Sequence, residues 1–471
     1  MRWRDALSLV PMTRVAVVAP RSSLRQVLVK VADAGAVEFE RTTAPGDAAV
    51  SEAARRLQRS GVAPAPARLS AAGPDLDRWE RAGRTDLLAG EAQLAEYTAE
   101  AVTRGGVAAL LGWAPSERVS ALAAQLTDIG GAVAPLPAPR GVEPPTATSQ
   151  APLRSGFAPL VSTYTTVPYP DVDPTLLAGL AYVVMFGAMF GDVGHGVLLL
   201  AGGLAVRRAW PKRLAGLQPY WRFVAGAGLF SMVFGLLYGE CFGPTGLVPT
   251  VWLAPMEHPV PLLLAGVGLG AVLLAGAYAL GTVNRVRESG WPVAVTAPSG
   301  LAGSALFLAA GLAVGAWYWS VGWLAVIAGV FALAGLVFAF AGLLFAAGGG
   351  ASGALQAVIE TFDVIIRIGS NVVSFARLAA FGLTHAVLTG IVWAATAGLW
   401  SGSAAGMLAA VVVFAVGNAL AFSLEALVAG VQALRLEYYE LFSRVFQKEG
   451  RPFHPWHVPT DAIGEAPCLP G

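Results

Sequence analysis

The sequence is short of charge. Of its 471 residues only 13% are Asp, Glu, Lys or Arg, while 55% are hydrophobic. Soluble chains carry roughly 25% charged residues, so a soluble globular class is excluded and a membrane protein is implied. Lysine is nearly missing. It occurs at Lys30, Lys212 and Lys448, never before Ser or Thr, which excludes a phosphate-binding loop of the GK[ST] type. The two cysteines, Cys241 and Cys468, lie far apart and form no metal or disulfide motif. No cofactor and no metal ion is expected. A net charge of +1 gives no global case for binding nucleic acid. The start, Met1–Ala6, lacks the apolar run of a signal peptide.

The front third is the polar part. Residues 1–170 hold no apolar run of membrane length. Thr13–Pro20 predicts a strand, Leu24–Ala34 a helix capped by Ser22 or Ser23, and Ala36–Glu40 a second strand. The pattern returns as a strand at Val107–Trp113, a helix capped by Ser116 and running to about Ile129, and a strand at Ala132–Leu136. Two β-α-β units imply a small α/β lobe. Between them, residues 47–105 are rich in Ala, Arg and Glu and predict a solvated helical hairpin, broken at Val62–Ala67. Residues 137–173 are Pro-rich and polar, and form a linker.

The first apolar block runs from about Leu176 to Val206, interrupted by Phe190-Gly-Asp-Val-Gly-His-Gly196. A hydrocarbon core ~30 Å thick takes ~20 helical residues, so length alone permits one crossing. The loop that follows carries Arg207, Arg208, Lys212, Arg213 and Arg222, and basic loops stay in the cytoplasm. With the front domain on that side too, the block must return as a hairpin of two short helices. Further spans are predicted at about 220–240, 259–283, 293–317, 320–346, 362–398 and 404–440. The basic loop Asn284–Glu288 is expected inside, and the loops without Lys or Arg near 241–257, 317–321 and 399–403 outside. The expected fold is an α-helical polytopic membrane protein of about eight transmembrane helices, the last two long and tilted. It follows an N-terminal α/β cytoplasmic domain. The boundaries are 1–170 for that domain and its linker, 171–446 for the membrane domain, and 447–471 for a C-terminal cytoplasmic tail.

The few charges inside the apolar runs are the candidate site. Arg377 stays protonated at physiological pH, and holding it in a bilayer costs at least ~2.5–3.5 kcal/mol on insertion scales. At 3.6 residues per turn, Ser370, Ser374, Arg377 and Thr384 share a face, with His385 at its edge. In the following helix Asn418, Glu425 and Gln432 stand seven apart, and Arg435 borders their face. Two polar stripes on neighbouring apolar helices suggest a hydrated, ion-conducting seam. Ala354–Leu399 contains no proline; as one helix it would run ~69 Å, so it must tilt or begin along the membrane surface. Glu360, Asp363 and Arg367 share a face of its early part. An interfacial turn and an ion entrance are equal readings of that face. Asp192 and His195 read as structural residues of a membrane turn ahead of functional ones, Glu240 as a solvated span end ahead of the lining of an external opening, and His454 and His457 as surface residues.

Ser374-Phe-Ala-Arg377-Leu-Ala-Ala-Phe-Gly-Leu-Thr-His385, then Glu425, then Arg435-Leu-Glu-Tyr-Tyr-Glu-Leu-Phe-Ser-Arg-Val-Phe446 resembles the last two membrane helices of the rotary V-type/A-type ATPase stator subunit, subunit a or, in prokaryotes, subunit I. The turn at Phe190–Gly196, the entry Asp173-Pro-Thr175, and Pro144-Pro145-Thr146 are similar to that family. Thr13–Pro20 and Leu111–Val119 look like its two cytoplasmic α/β lobes, here with a much shorter segment between them. The resemblance implies a neighbouring proteolipid c-ring whose carboxylates pass Arg377, with Arg435 assisting. It implies that Glu425, Gln432, Ser374 and His385 hold water and relay protons, and that Asp363 serves the cytoplasmic entrance. Peripheral stalk subunits and the central stalk and catalytic ATPase subunits are the other partners implied, together with the lipid membrane. The chain itself would be a non-catalytic subunit, multi-pass in a prokaryotic plasma membrane, with both termini cytoplasmic. A stand-alone secondary transporter is the alternative; such proteins often carry broken helices in matched halves, and here one interrupted block near residue 191 has no later match. A non-conducting scaffold leaves Arg377, Glu425 and Arg435 without a role.

Overall fold

The computed structural model describes residues 9–40, 50–62, 65–139, 141–147, 156–210, 212–400 and 402–461. The expectations for Met1–Ala6, for Cys468 and for part of the linker lie outside these residues. The chain divides into two compact units, one of residues 9–148 with 450–471, the other built on residues 149–449.

In the first unit β1 (Met12–Pro20), α1 (Leu24–Ala34) and β2 (Glu38–Phe39) are followed by α2 (Glu52–Ser60), β3 (Leu69–Ser70), α3 (Leu76–Arg81) and α4 (Thr85–Glu100). Then come β4 (Val102–Arg104), β5 (Val107–Pro115), α5 (Ser116–Thr127) and β6 (Ala132–Leu136). The two β-α-β units do not form two lobes. They interlock in one sheet of order β2-β5-β1-β6, with β4 also on β5. β1 pairs antiparallel with β5 from Met12↔Pro115 to Pro20↔Val107, and with β6 on its other edge. This is the split β-α-β arrangement, in which each unit's strands are parted by a strand of the other. Val15 and Val17 on β1 point at Val27, Leu28 and Val31 of α1, all fully buried. Ser23 and Ser116 stand at helix starts but do not cap them; their hydroxyls donate to Pro20 O and Pro11 O.

The described part of the tail belongs to this unit too. Trp456 N donates to Val37 O (2.9 Å), Val458 N to Ala32 O (3.1 Å) and the Trp456 indole to Gln93 Oε1 (3.1 Å). Trp456 stacks near Tyr97 and Phe39, with centroids 4.5 and 6.1 Å away. The tail ends in β7 (Thr460–Asp461), parallel to β3. His454 and His457 are exposed, as expected. Asp33 accepts from the Thr460 hydroxyl and backbone, and the hydroxyl above all holds its carboxyl below the usual range. A lowered carboxylate stabilises the fold above its unfolded pKa and loses that contribution as pH falls through the folded value. Hydrogen-exchange protection across residues 455–461, relative to the intrinsic rate at each pH, should therefore fall below about pH 4, and Asp33→Asn should remove much of that pH dependence. Protection flat with pH would contradict the assignment.

Among the described residues of the second unit, six helical stretches are long and apolar enough to cross a membrane. Two shorter apolar helices precede them, α6 (Thr175–Met189) and α7 (Val193–Arg207). Both pack on α8 (Trp221–Tyr238). Val183 meets Gly226 and Gly187 meets Phe230, so α6 and α8 run the same way. Val193 meets Gly235 and Gly203 meets Ala225, so α7 runs the opposite way. The block is a hairpin, as the charges required. Next come α9 (Pro259–Ser289), α10 (Leu301–Trp319), α11 (Gly322–Ala346), α12 (Gly350–Ser374), α13 (Ala376–Leu399) and α14 (Ala404–Leu436), which continues as a π-helical turn at Glu437–Phe442.

The long helix expected over 362–398 is therefore broken, at Phe375. Ser374 Oγ donates back to Ser370 O (2.9 Å), a bond that bends helices, and Phe375 N bonds three residues back to Val372 O. The Phe375 ring is fully buried against Gly270 of α9, where a Cβ would lie 2.1 Å from it. Gly270→Leu should force the ring out and cost at least ~1–3 kcal/mol, read as a lowered unfolding midpoint of the full-length chain in detergent. An unchanged midpoint would show that the break does not depend on this contact.

Candidate functional site

α13 and α14 lie antiparallel, with Val392 against Gly417. That register decides which polar residues meet. His385 Nδ1 hydrogen-bonds Glu425 Oε2. The imidazole is only 2% exposed, so it turns to the buried side of α13 rather than to the edge of the Arg377 face. There it meets the turn between α6 and α7. His385 Nε2 lies 3.9 Å from Asp192 Oδ2, and the His385 and His195 rings are 5.6 Å apart, edge to face. Phe190 packs 5.0 Å from His385 and 5.6 Å from His195, and Phe242 and Phe422 close the group.

Asp192 does what the turn reading asked and more. Its Oδ1 accepts from His195 N (2.8 Å), starting α7, and from Phe242 N (3.0 Å); its Oδ2 accepts from Gly243 N (2.9 Å). Glu240 departs from the expectation of a solvated span end. It is 5% exposed, with Oε2 unpartnered among the described residues, and its charge bears on His385, Asp192 and Glu425.

A second polar group lies where α12 gives way to α13, against the end of α14. Here Ser374 and Arg377 face Glu440, with Arg435 beside them. Sequence reasoning passed over Glu440. Five residues after Arg435, an α-helix would place it ~140° away. The π turn, with i→i+5 bonding, brings residues five apart toward the same side, and Glu440 is buried. An acidic residue five positions after Arg435 was the available signal, but the change of helix type was not legible.

Arg377 is partly buried, and Arg435 is exposed. Arg377 Nη1, Gln432 Oε1, Glu425 Oε1, Glu440 Oε2 and Asn418 Oδ1 are buried with no hydrogen-bond partner among the described residues. Buried polar atoms require partners, so this seam is built for water or ions. Asp363 lies apart from both groups. It pairs with Arg367 one turn on, and both are more than half exposed.

The sequence matches the model of the V-type ATPase 116kDa subunit family over residues 100–259. It is 28% identical over 378 residues to the A-type ATP synthase subunit I of Halobacterium salinarum, covering 64% of this chain and 50% of that protein. The same subunit of Archaeoglobus fulgidus is 26% identical over 409 residues, covering 74% and 58%. These matches are consistent with the V/A-type ATPase subunit a/I family. The chain is also 33% identical over 147 residues to the vacuolar proton translocating ATPase 100 kDa subunit of Dictyostelium discoideum, covering 28% of this chain and 18% of that one. The chain spans about half the length of the curated relatives it matches. Six helices of membrane-crossing length and apolarity among the described residues, with this similarity to a membrane ATPase subunit, point to a multi-pass membrane protein.

Proposed function

We propose that this chain is the stator subunit of the membrane sector of a rotary V/A-type ATPase. It carries protons past a proteolipid ring in two half-paths that stop on either side of Arg377. The observation that carries the reading is the pair of polar groups, one built around buried His385 and the other around buried Glu440. His385, Glu425, Asp192, His195 and Glu240 make one, and Ser374, Glu440 and Arg435 the other, with Arg377 beside Glu440 and, in sequence, between Ser374 and His385. A positive charge within a few ångströms favours an ionised carboxylate. A protonated ring carboxyl reaching Arg377 would release its proton into one path, and re-protonate from the other after passing. Gln432 and Asn418 would hold water along the seam. Asp363, with Arg367, would open the cytoplasmic path at its mouth. The soluble unit would sit in the cytoplasm and meet the stalk subunits, and ATP would be handled on other subunits.

The test is purification of the tagged full-length chain from its own membranes, with ATP-driven acidification of inverted vesicles. Co-purification of a small, membrane-embedded, carboxylate-bearing protein together with acidification is expected. A chain that purifies alone and moves a solute in liposomes would replace the stator by a transporter.

A further inference from the structure

Inside the α6–α7 turn, one donor atom each from Asp192, His195 and His385 lies within 4.8 Å of the other two. All three residues are buried. His195 Nδ1 and Nε2 and His385 Nε2 have no hydrogen-bond partner among the described residues. Three orphaned imidazole nitrogens in a sealed site are unusual, because buried polar atoms are paired in the great majority of cases. We propose that Asp192, His195 and His385 form a binding site for a divalent transition-metal cation of the Zn2+ type. Bound there, the cation takes His385 Nε2 and closes the His385–Glu425 relay. That closure rests on the proton-path reading; the binding itself does not.

The geometry suits such an ion. Zinc bonds nitrogen and oxygen at about 2.0–2.2 Å in a tetrahedron, which separates its ligand atoms by roughly 3.3–3.6 Å. His385 Nε2 and Asp192 Oδ2 are already 3.9 Å apart, and His195 Nδ1 lies 3.9 Å from the carboxylate's other oxygen, Oδ1. Small ring rotations complete the approach. The supports are in place as well. A metal-bound histidine commonly gives its other nitrogen to a carboxylate, and His385 Nδ1 bonds Glu425. Asp192 is fixed by three backbone N–H groups, only one of them on Oδ2, which leaves that oxygen able to coordinate. Three carboxyl groups, Asp192, Glu240 and Glu425, act on the site, and none of them pairs with arginine or lysine among the described residues. Two imidazoles and one carboxylate select Zn2+, Co2+ or Cu2+ over Ca2+ and Mg2+, which want a shell of oxygens. The ligands come from two segments far apart in sequence, so no spacing motif announces them.

The experiment uses the full-length chain in detergent with Co2+ as the spectroscopic probe. One equivalent should bind with the intense visible bands of a four-coordinate ion, and X-ray absorption of the Zn2+ form should show imidazole nitrogen in the first shell. His195→Gln and His385→Gln should each weaken binding by roughly 100-fold or more, and Glu425→Gln by about 10–100-fold. Metal-free unfolding midpoints of these variants serve as the folding control. Should a variant not fold, the wild-type first shell still decides. A six-coordinate, all-oxygen shell, or no stoichiometric binding, overturns the site. In vesicles, micromolar Zn2+ should stop acidification by the wild type. Binding with undiminished acidification overturns the closure. If vesicles fail to acidify even without metal, the stator reading falls while the spectra still decide the site.

Discussion

Arg377→Gln should abolish ATP-driven acidification of inverted vesicles while the chain still accumulates in the membrane at wild-type level. Glutamine keeps much of the length and some of the hydrogen bonding but removes the charge. Two unit charges about 4 Å apart at an effective dielectric of ~20 interact by ~4 kcal/mol, which is about a thousandfold in an equilibrium or a rate. Without that term a ring carboxyl meets no reason to ionise opposite the stator. The polar groups around His385 and Glu440 would also lose the barrier between them, so the mutant membrane should leak protons more readily. Assembly should survive, because Arg377 makes no ion pair among the described residues and one of its nitrogens is already unpartnered. Taking a charge out of an apolar helix relieves a cost rather than adding one. Arg377→Lys should fall between the two, since an ammonium is a compact, strongly hydrated charge without the planar spread of a guanidinium. Vesicles of Arg377→Gln that acidify within twofold of wild type would remove Arg377 from the centre of the mechanism.

What could be read in the sequence follows a physical division. Local signals carried far. The helix Leu24–Ala34 and the strand Ala132–Leu136 fall where periodicity and turn residues put them. The membrane helices follow the apolar runs, and the hairpin at Phe190–Gly196 follows from basic loops that must stay on one side. Pairings between distant residues were not legible. β1 against β5 joins residues about a hundred positions apart, and Trp456 reaches its core from the far end of the chain. The break at Phe375 has no proline to announce it and depends on Gly270 of another helix. Likewise, the stripes on α13 and α14 were visible as stripes. Which residue on one meets which on the other depends on an interhelical register that neither stripe contains. Hence His385 appears at the edge of the Arg377 face in sequence and against Glu425 in the structure.

Asp192→Ala should cost more stability than any other single change in the membrane unit. The carboxylate takes three backbone N–H groups, from His195 and Gly243 in buried surroundings and from half-buried Phe242. Each buried donor left unpaired costs ~1–3 kcal/mol, so the loss is about 3–9 kcal/mol, against a whole stability of roughly 5–15 kcal/mol for a typical protein. Phe242 adds to it. Its φ of 52° is left-handed, which disfavours a bulky residue by ~1–2 kcal/mol, and the bond to Asp192 helps hold it there. Truncation also opens a space where α7 and α8 pack closely, with Gly235 against the Asp192 backbone. The variant should yield little folded protein in size-exclusion profiles of detergent extracts. Asp192→Asn separates charge from hydrogen bonding. Its amide oxygen can still serve His195 and Phe242, but its nitrogen would face the Gly243 N–H, donor to donor, so one bond is lost and an intermediate midpoint is expected. An Asp192→Ala protein as stable as wild type would show that the turn is held by helix packing alone and that the carboxylate is free for ion chemistry.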